Sequence, residues 1–477
     1  MNRDAKGITL TQKARLLPAD METPISLFMG MVGSGDGILL ESAHVDGKWG
    51  RYSLLACDIL LRVFCRNGEL HLNIEDDRLA SLAELDGMPF VEGLKSLMDL
   101  ITIEAPAEDS FDLPPITRAL YGYLGFEMAG LFNPKLAAVL PKEEAECQLV
   151  LPGTVLVFDH LYNRLCQLSL GNFREIRSAH ESGFFAAEQE DFPILAEPSE
   201  EGFKDCVRRI QEELRQGEAI QCVPSVRFST PFRGDSFAHY RRLRRLNASP
   251  YLFYMHFPSM SLFGSSPEVM VRCDKNQLLL APIAGTRRRG RTEEEDQKLE
   301  LELLADPKER AEHVMLVDLG RNDLGRVAVK GSVHVERLMQ TERFSHVMHL
   351  TSSVTAELKK GLGPVDVLAS TFPAGTVSGA PKLRAIEMLR EMEGQARGPY
   401  AGCVGWIGLD KDSVNLDMGI TIRSMWTRQG RLYWQAGAGI VHDSVPELEW
   451  KEVNNKSAIM RLVLSDKGEN SHVSTHR

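Results

Sequence analysis

Two kinds of hydrophobic pattern divide this chain of 477 residues. Up to about residue 195, short runs of alternating apolar and polar positions recur, as at Ile59 to Cys65 and Val150 to Phe158. Gly, Asp and Pro separate these runs, and a two-residue period between such turn residues is typical of antiparallel strands. The pattern predicts a β-rich N-terminal region spanning residues 1–195.

A helical period enters the pattern after residue 200. A helix is predicted from Phe203 to about Arg215, where Gly217 ends it. Strand-like runs follow at Ala219–Phe228, Tyr251–Phe257 and Leu278–Pro282. A polar and acidic stretch at 179–199 separates the two regions, so we place a boundary there. The prediction is a second region at 200–465, followed by a polar tail at 466–477.

Three further helices are predicted from their terminal residues. Asp306 supplies an N-cap for a helix that is expected to stop at Gly320. Another is expected to follow Pro381 and to end at Gly394, and the last begins after Pro446. Helices interspersed with strands predict a mixed α/β (α+β) fold.

Composition narrows the classes of protein to consider. With 43% hydrophobic and 25% charged residues, the chain has the make-up of a globular protein. Its 66 acidic and 55 basic residues give a formal charge of −11, which disfavours nucleic acid as a partner. No stretch approaches the roughly 20 apolar residues of a membrane span. Eight scattered cysteines suit neither a disulfide framework nor paired zinc ligands. We therefore expect a cytoplasmic protein with no membrane partner.

Two pairs of glutamates carry the first candidate chemistry. Glu309 and Glu312 are three residues apart on one predicted helix, as are Glu449 and Glu452 on another, so each pair shares a helical face. Two such faces could share a hard divalent cation such as Mg²⁺. The alternative is that both faces are simply solvated, and spacing alone leaves both interpretations open.

Other candidate groups are a glycine run, an arginine and two histidines. The run 436–439 could offer backbone N–H groups to an anion or could form a tight turn. Arg423 closes an apolar strand, where it could pair with a buried carboxylate or bind a ligand carboxylate. His346 and His349 flank two apolar residues, so one of them could face a site, although a structural histidine is the alternative.

Six sequence blocks stand in the second region: Pro282–Thr286, Asp306–Asp323, His346–Leu350, Thr371–Lys382, Tyr400–Gly402 and Ala436–Lys456. In this order they resemble the chorismate-utilising enzymes, and most closely the large subunits of anthranilate synthases. The resemblance covers essentially the whole C-terminal region. It implies that family's fold, in which two packed, largely antiparallel β-sheets are flanked by helices.

Two positions separate the members of that family. Salicylate and isochorismate synthases carry a lysine base where this chain has Gln221, and aminodeoxychorismate synthases typically carry a lysine nucleophile in place of Ala284. The resemblance therefore implies that ammonia itself attacks chorismate, giving anthranilate and pyruvate. Aminodeoxychorismate synthase and a catalytically silent, tryptophan-binding regulatory subunit are the two alternatives.

The resemblance also implies a set of site residues. Mg²⁺ would be bound by Glu312 and Glu452, with Glu309 and Glu449 as supporting or water-mediated ligands. His349 would be the general acid, and Glu268 would line the same cleft. The substrate would be held by a larger set of groups: Gly285, Thr286, Tyr400, Arg423, Gly437, Ala438, Gly439 and Lys456. Thr286 and Glu309 complete the predicted catalytic set.

A regulatory site is implied by two further motifs. Leu39–Ser42 resembles the first half of the inhibitor motif of tryptophan-sensitive enzymes, and Asn247–Leu252 resembles the second half. The implied inhibitor contacts are Ser42, Pro250, Tyr251 and Leu252, although Ala248 and Leu252 depart from the commonest form of the motif. The alternative is that Leu39 and Leu40 are core strand residues and that Ser42 caps a turn.

The source of ammonia is expected to be another chain. None of the eight cysteines stands in a Gly-x-Cys-x-Gly turn, the usual setting of an amidotransferase nucleophile in this context. We therefore expect a glutaminase subunit as partner and a hetero-oligomeric assembly.

Overall fold

The computed structural model describes residues 7–42, 50–106, 113–179, 192–343 and 347–465, and the following account is confined to them. Ten α-helices occur in these ranges: α1 (Pro24–Met31), α2 (Phe90–Leu100), α3 (Ala129–Phe132), α4 (Glu200–Arg215), α5 (Ser236–Leu246), α6 (Glu293–Ala305), α7 (Pro307–Gly325), α8 (Pro364–Thr371), α9 (Lys382–Glu393) and α10 (Pro446–Leu464).

The same ranges contain 24 strands. Those before residue 200 are β1 (Ile8–Thr11), β2 (Lys13–Leu17), β3 (Gly37–Glu41), β4 (Tyr52–Arg66), β5 (Glu69–Ile74), β6 (Ile101–Glu104), β7 (Ala119–Leu124), β8 (Cys147–Asp159), β9 (Arg164–Ser169) and β10 (Leu195–Glu197). Those after it are β11 (Gln221–Cys222), β12 (Ser225–Pro231), β13 (Tyr251–Phe257), β14 (Met260–Ser266), β15 (Val269–Asp274), β16 (Gln277–Leu280), β17 (Ile283–Arg288), β18 (His334–Arg343), β19 (Val347–Glu357), β20 (Gly379–Ala380), β21 (Cys403–Gly408), β22 (Leu416–Ile420), β23 (Ser424–Arg428) and β24 (Arg431–Gly437).

Hydrogen bonding joins 20 of these strands into one antiparallel network. The other four form two small pairs, of which β1 with β6 is parallel and β11 with β20 is antiparallel. The predicted α/β class with a largely antiparallel sheet is thereby confirmed.

Side chains that alternate along the central strands belong to two different hydrophobic cores. Ile38 of β3 and Leu54 of β4 belong to one core, whereas their chain neighbours Leu39 and Leu55 belong to the other. Successive side chains of a strand point to opposite faces, so this part of the sheet separates the two cores. The first core is enclosed largely by strands. The second core is covered by a layer of five helices, which are α1, α4, α5, α9 and α10.

Local signals explain where the predicted helices begin. Ser199 caps α4 by accepting from the Gly202 amide, so the helix starts slightly earlier than Phe203. Asp306 caps α7 as predicted, accepting from the amides of Lys308 and Glu309. α9 and α10 also lie where expected, and α9 ends at Gly394, whose φ of +66° an L-residue adopts with difficulty.

Two expectations about boundaries were wrong. α7 continues past Gly320 to Gly325, because the buried Gly320 packs against Leu280 and the helix is not interrupted there. The run Ala219–Phe228 is not one strand. It divides into β11 and β12 around Pro224, which has no N–H for a strand ladder.

Strands pair directly across the boundary placed at 195–200. β3 pairs with β13, so that Glu41 lies opposite Leu252, and β7 pairs with β21. Residues of the predicted first and second regions therefore share one hydrogen-bonded network. None of the helices in the described ranges has both the length and the apolar character needed to cross a bilayer.

Candidate active site

His349 and Thr286 meet across two paired strands. Thr286 of β17 lies opposite His349 of β19, and Thr286 Oγ1 is 3.0 Å from His349 Nδ1. The carbonyl oxygen of Gly285 is 3.1 Å from the same nitrogen. Because a carbonyl can only accept, Nδ1 carries the proton, and Nε2 is the acceptor of the neutral ring. The imidazole is thus fixed in one tautomer.

Burial and a nearby cation keep this imidazole neutral. Burial lowers the pKa of His349, and the positive charge of Arg423 lowers it further, while the contact with the Gly285 carbonyl raises it. A negative ligand on Arg423 would offset one of these two lowering effects, so the proton affinity of His349 is coupled to the charge state of the site.

Arg423 lies between β22 and β23, with a positive φ of +51°. Burial lowers the pKa of its guanidinium, and the opposing negative influence comes from Tyr400, Glu452 and Glu268. Within the described ranges, its Nη1 donates a hydrogen bond of 3.4 Å to the Lys456 carbonyl. Of the two interpretations left open by the sequence, this arrangement favours a cation that binds a ligand carboxylate.

Lys456 ties α10 to the glycine run. Its Nζ lies 2.7 Å from Glu452 Oε1 and 3.0 Å from the Gly437 carbonyl. A Cβ on Gly437 would stand 3.0 Å from the Tyr400 hydroxyl, and one on Gly439 would stand 2.7 Å from Gln221 Nε2. Both glycines therefore allow the backbone to approach the site closely.

One predicted substrate contact is already engaged within the protein. The Ala438 N–H donates to the Pro224 carbonyl at 3.1 Å, which continues the pairing of β12 with β24. An N–H that completes a strand ladder has no remaining donor, so this amide is not open to a ligand in the arrangement observed, and a role for Ala438 in substrate binding stays a prediction.

The four predicted carboxylates come together from two helices. Burial raises the pKa of Glu312 on α7, and the negative charges of Glu309 and Glu452 raise it further, while a hydrogen bond of 2.9 Å from Gln221 Nε2 lowers it. Burial also raises the pKa of Glu449 on α10, and Glu452 adds to that effect. Like charges held this close favour protonation or a bound cation.

The donor set suits Mg²⁺ rather than a softer metal. All four groups offer carboxylate oxygens, and Mg²⁺ is usually held by one or two carboxylates together with waters and substrate oxygens. In the described part of the chain, no three His, Cys, Asp or Glu side chains are arranged to hold a metal by themselves. Glu309 is paired with Arg287 at 2.9 Å and Glu452 with Lys456 at 2.7 Å, so a metal ion at either carboxylate would compete with an ion pair already present.

Glu268 follows β14 and is buried, with 7% of its surface exposed. Burial raises the pKa of its carboxyl to about 7, against the lowering influence of Thr376, Lys456 and Arg423. The Glu268 carbonyl accepts from the Ile420 amide at 3.0 Å, which links it to β22. The carboxyl can therefore hold or release a proton near neutral pH within reach of the two cations.

Tyr400 is positioned by a residue that the sequence analysis missed. Arg397 is 1% exposed and pairs with Glu393 at 2.7 Å, and its guanidinium lies 5.7 Å from the Tyr400 ring centre. It also donates to the Val223 carbonyl at 2.7 Å. Burial raises the pKa of Tyr400 to about 12, so the phenol is a hydrogen-bond donor at neutral pH. A charge beside Gly398-Pro399 was the only sequence signal.

The predicted inhibitor residues line a second cleft. Pairing of β3 with β13 brings Ser42, Pro250, Tyr251 and Leu252 to the wall of an open cleft of about 590 Å³. Trp406 also lines it. Leu39 is fully buried in a core, as its alternative interpretation requires. The motif therefore contributes both to a core and to a cleft. His346, the other candidate histidine, lies outside the described residues.

Asp417 anchors the floor of this cleft. Its carboxylate accepts from the Tyr251 hydroxyl at 2.5 Å and from Arg272 Nε at 2.9 Å. Asp417 belongs to β22, the strand that leads six residues later to Arg423. The cleft and the cluster of cations are thus joined by one strand.

Comparisons with known proteins found relatives that match almost the whole chain. A family model described as chorismate binding enzyme matches residues 79–461. Anthranilate synthase component 1 of Aquifex aeolicus is 40% identical, over 94% of this chain and 93% of its own length. The protein of that name from Acetivibrio thermocellus is 39% identical, over 94% of each chain.

Solved structures show the same fold. Anthranilate synthase component I from Streptococcus pneumoniae superposes with a TM-score of 0.69 at 29% identity, covering 94% of this chain and 99% of that one. The menaquinone-specific isochorismate synthase from Escherichia coli gives a TM-score of 0.72 at 19% identity, covering 96% of each chain, which is a likeness of fold alone.

Proposed function

Because this chain belongs to the family of chorismate binding enzymes, we propose that it converts chorismate and ammonia to anthranilate and pyruvate with Mg²⁺ at Glu312 and Glu452. The observation that carries the proposal is the convergence of these two carboxylates with Arg423 and Lys456. A dianionic substrate needs cations for its carboxylates, and a metal held by glutamates supplies a further positive charge.

Two neutral side chains support ammonia as the nucleophile. Gln221 occupies the position of a lysine base in the isochorismate-forming relatives, and its amide is engaged with Glu312. Ala284 of β17 offers a methyl group where an amine would be needed for direct attack on the ring. Neither residue can activate water or form a bond to the substrate, which supports external ammonia as the attacking group.

Substrate binding is expected to raise the pKa of His349, the proposed general acid. A substrate carboxylate on Arg423 would remove part of the positive field that lowers the pKa of His349, so the imidazole gains affinity for a proton when the substrate is bound. Protonated in this way, His349 can donate to the departing ring hydroxyl. Bound at Glu312 and Glu452, Mg²⁺ would neutralise the ring carboxylate next to the reacting carbon.

Partner and inhibitor belong to the same proposal. The relatives are named component 1, which implies a second component, and we assign it the role of a glutaminase that supplies ammonia. Tryptophan is the proposed ligand of the cleft at Ser42 and Tyr251, since an aromatic amino acid fits a cleft lined by Trp406 and by charged and polar groups. β22 would carry the effect to Arg423.

The test is a single incubation of the purified chain with chorismate, an ammonium salt and MgCl₂. Anthranilate fluorescence and stoichiometric pyruvate, both removed by chelation of the metal, are expected. Formation of aminodeoxychorismate without pyruvate would assign the chain to the sister activity, and no conversion at all would contradict the proposal. Glu452→Gln provides the inactive control.

A further inference from the structure

A buried carboxylate of the first region lies against the loop that carries Tyr400. Glu127 belongs to the short 3-10 turn Phe126–Met128, which follows β7, and 1% of its surface is exposed. Its Oε1 accepts a hydrogen bond of 2.6 Å from the Arg397 amide, and its Oε2 accepts one of 3.0 Å from the Gly398 amide. Two successive backbone N–H groups therefore converge on one carboxylate, as they do around bound anions.

The turn and the loop are joined in both directions. The Phe126 amide donates to the Gly398 carbonyl at 2.8 Å, and the Arg397 guanidinium lies 4.6 Å from the centre of the Phe126 ring. Both carboxyl oxygens of Glu127 are engaged by the loop, and the group is buried. Glu127 therefore acts on the loop and does not itself reach a ligand.

The loop has positive φ at two positions, Gly398 at +65° and Ala401 at +61°. The second value is costly for a residue with a Cβ, so it persists only where surrounding contacts hold it. The Ala401 amide donates to the Thr421 carbonyl at 3.0 Å, which fixes the far end of the loop. Glu127 fixes the near end. Tyr400 lies between these two anchors, so its direction depends on both.

The Tyr400 hydroxyl lies at the glycine run of the candidate active site. A Cβ on Gly437 would stand 3.0 Å from that hydroxyl, and the Gly437 carbonyl accepts from Lys456 Nζ at 3.0 Å. Because the hydroxyl is at the end of a long and rigid side chain, a small shift of the loop backbone becomes a larger displacement of the hydroxyl. The position of the loop therefore matters for any ligand held there.

We propose that Glu127 is a positioning residue for substrate binding, which holds the loop 397–401 so that the Tyr400 hydroxyl can donate to a carboxylate of chorismate. This inference rests on the proposed function. It adds to the site a residue of the first region, from which the sequence analysis drew only inhibitor contacts.

Glu127→Gln changes the acceptor without changing the size of the side chain. A glutamine offers one oxygen and one NH₂ group, so one of the two loop amides would face another donor. A buried N–H without an acceptor is unfavourable, and the loop is expected to move away from it. The dissociation constant for chorismate should then rise about tenfold, the effect of losing one hydrogen bond to a substrate carboxylate.

Calorimetric titration with chorismate measures this dissociation constant. The titration is made with MgCl₂ and without ammonia, so that binding is separated from turnover. Burial raises the pKa of Glu127 to about 7, against the lowering effect of the two loop amides. A buffer of about pH 8 therefore keeps the carboxyl ionised in the natural chain.

A double-mutant cycle with Tyr400→Phe tests whether Glu127 acts through the tyrosine. Tyr400→Phe keeps the ring, removes the hydroxyl and is expected to raise the dissociation constant about tenfold by itself. If Glu127 acts by directing that hydroxyl, Glu127→Gln should add less than about twofold to the effect of Tyr400→Phe. Two independent effects would instead multiply to about 100-fold.

Glu144 provides the matched control. It is another glutamate of the first region that bonds to the second, since its Oε1 accepts from Arg390 Nη2 of α9 at 2.7 Å. Glu144→Gln weakens a contact between the same two regions at α9 instead of at the loop. It should leave the dissociation constant for chorismate within about twofold of that of the natural chain.

A second variant moves the loop from its other side. An alanine at Gly398 would be strained by the φ of +65°, and its Cβ would stand 3.3 Å from Glu146 Oε1. Gly361 has a φ of +84°, but a Cβ there would meet nothing within 4 Å. Gly398→Ala should raise the dissociation constant at least about fivefold without adding to Tyr400→Phe, and Gly361→Ala should change it little.

The outcomes separate this inference from the proposed function. A folded Glu127→Gln that binds chorismate as tightly as the natural chain would overturn the inference, and so would effects of Glu127→Gln and Tyr400→Phe that multiply. An equal weakening in Glu144→Gln would also overturn it, because the effect would then be a general one on the fold. If Glu127→Gln does not fold by circular dichroism, Gly398→Ala decides by the same two criteria. A natural chain that binds no chorismate would instead defeat the proposed function, and this inference with it.

Discussion

The side-chain amide of Gln221 donates a hydrogen bond of 2.9 Å to the carboxylate of Glu312. The bond joins β11 to α7 and orients a carboxylate whose pKa is already raised by burial and by two neighbouring glutamates. An amide does not titrate, so it holds the carboxylate without competing for its charge. The proposed metal site and the Gln221 amide would thus share the carboxylate of Glu312.

Gln221→Lys is predicted to weaken Mg²⁺ binding at the proposed carboxylate site. A lysine ammonium at this position would pair with Glu312 and compete with Mg²⁺, so the metal concentration for half-maximal anthranilate formation is expected to rise about tenfold. Titration of activity with MgCl₂ measures the shift. Gln221→Met, which removes the hydrogen bond without adding charge, should shift the midpoint less. Equal midpoints for natural chain and Gln221→Lys would contradict the metal assignment.

Glu452→Gln should lower the rate of turnover at least about 100-fold, because the glutamine keeps the shape of the proposed metal ligand but lacks its charge. The thermal unfolding temperature should change little, since the substitution also relieves repulsion with Glu312 and Glu449. Glu447→Gln, on the exposed side of the same helix, is the matched control and should retain activity. Comparable rates in the two variants would reject Glu452 as a ligand.

His313 gives a prediction about stability and pH. It is fully buried, and burial lowers its pKa from 6.5 to about 4. Between pH 4 and pH 6.5 the unfolded chain therefore binds a proton at His313 that the folded chain does not bind. The free energy of unfolding is unaffected by this difference above pH 6.5 and decreases as the pH falls toward 4. The decrease in the free energy of unfolding is about 3 kcal/mol, because a pKa difference of one corresponds to about 1.36 kcal/mol.

Urea unfolding at pH 7 and pH 5 measures this effect. His313→Gln, which keeps a hydrogen-bonding group for Ser352 and removes the titration, should lose less free energy of unfolding between the two pH values than the natural chain. His442→Gln, at an exposed site, should follow the natural chain. Parallel losses in all three proteins would show that His313 titrates normally.

Tryptophan inhibition is predicted to depend on Ser42. Rates are measured against chorismate with and without tryptophan, and each variant is normalised to its own uninhibited rate. Ser42→Ala should raise the tryptophan concentration for half inhibition about fivefold, the cost of about one hydrogen bond. Ser259→Ala, in an exposed turn, is the control. Superimposable curves with and without tryptophan in the natural chain would remove the inhibitor from the proposal.

The carboxylate faces and the helix starts could be predicted because their signals are local. Three-residue spacing places Glu309 and Glu312 on one face, and an Asp-Pro pair caps α7 wherever that helix packs. The end of α7 could not be predicted, since the tolerance of Gly320 depends on Leu280, a contact between distant segments. Sequence spacing also could not predict that Glu452 of α10 lies near enough to raise the pKa of Glu312 on α7, because that depends on tertiary structure.

Arg397 and Thr376 illustrate what local patterns miss. Arg397 acts through a buried pair with Glu393 and through carbonyls of a distant strand connection, and no periodicity marks such a role. Thr376 stands in the block Thr371–Lys382, whose resemblance to a family does not indicate that its hydroxyl lies near Glu268. Ala438 shows the reverse case, because its sequence suggested an open amide that strand pairing then occupies.

The pairing of β3 with β13 and of β7 with β21 has a consequence for dissection of the protein. A fragment starting at residue 200 would keep most of the proposed catalytic groups but would bare the hydrogen-bonding edges of β13 and β21. Unpaired edges recruit strands from other molecules, so such a fragment should aggregate rather than act as a minimal enzyme. Because strands of both regions complete one network, neither region is expected to fold as an independent domain when it is moved into another protein.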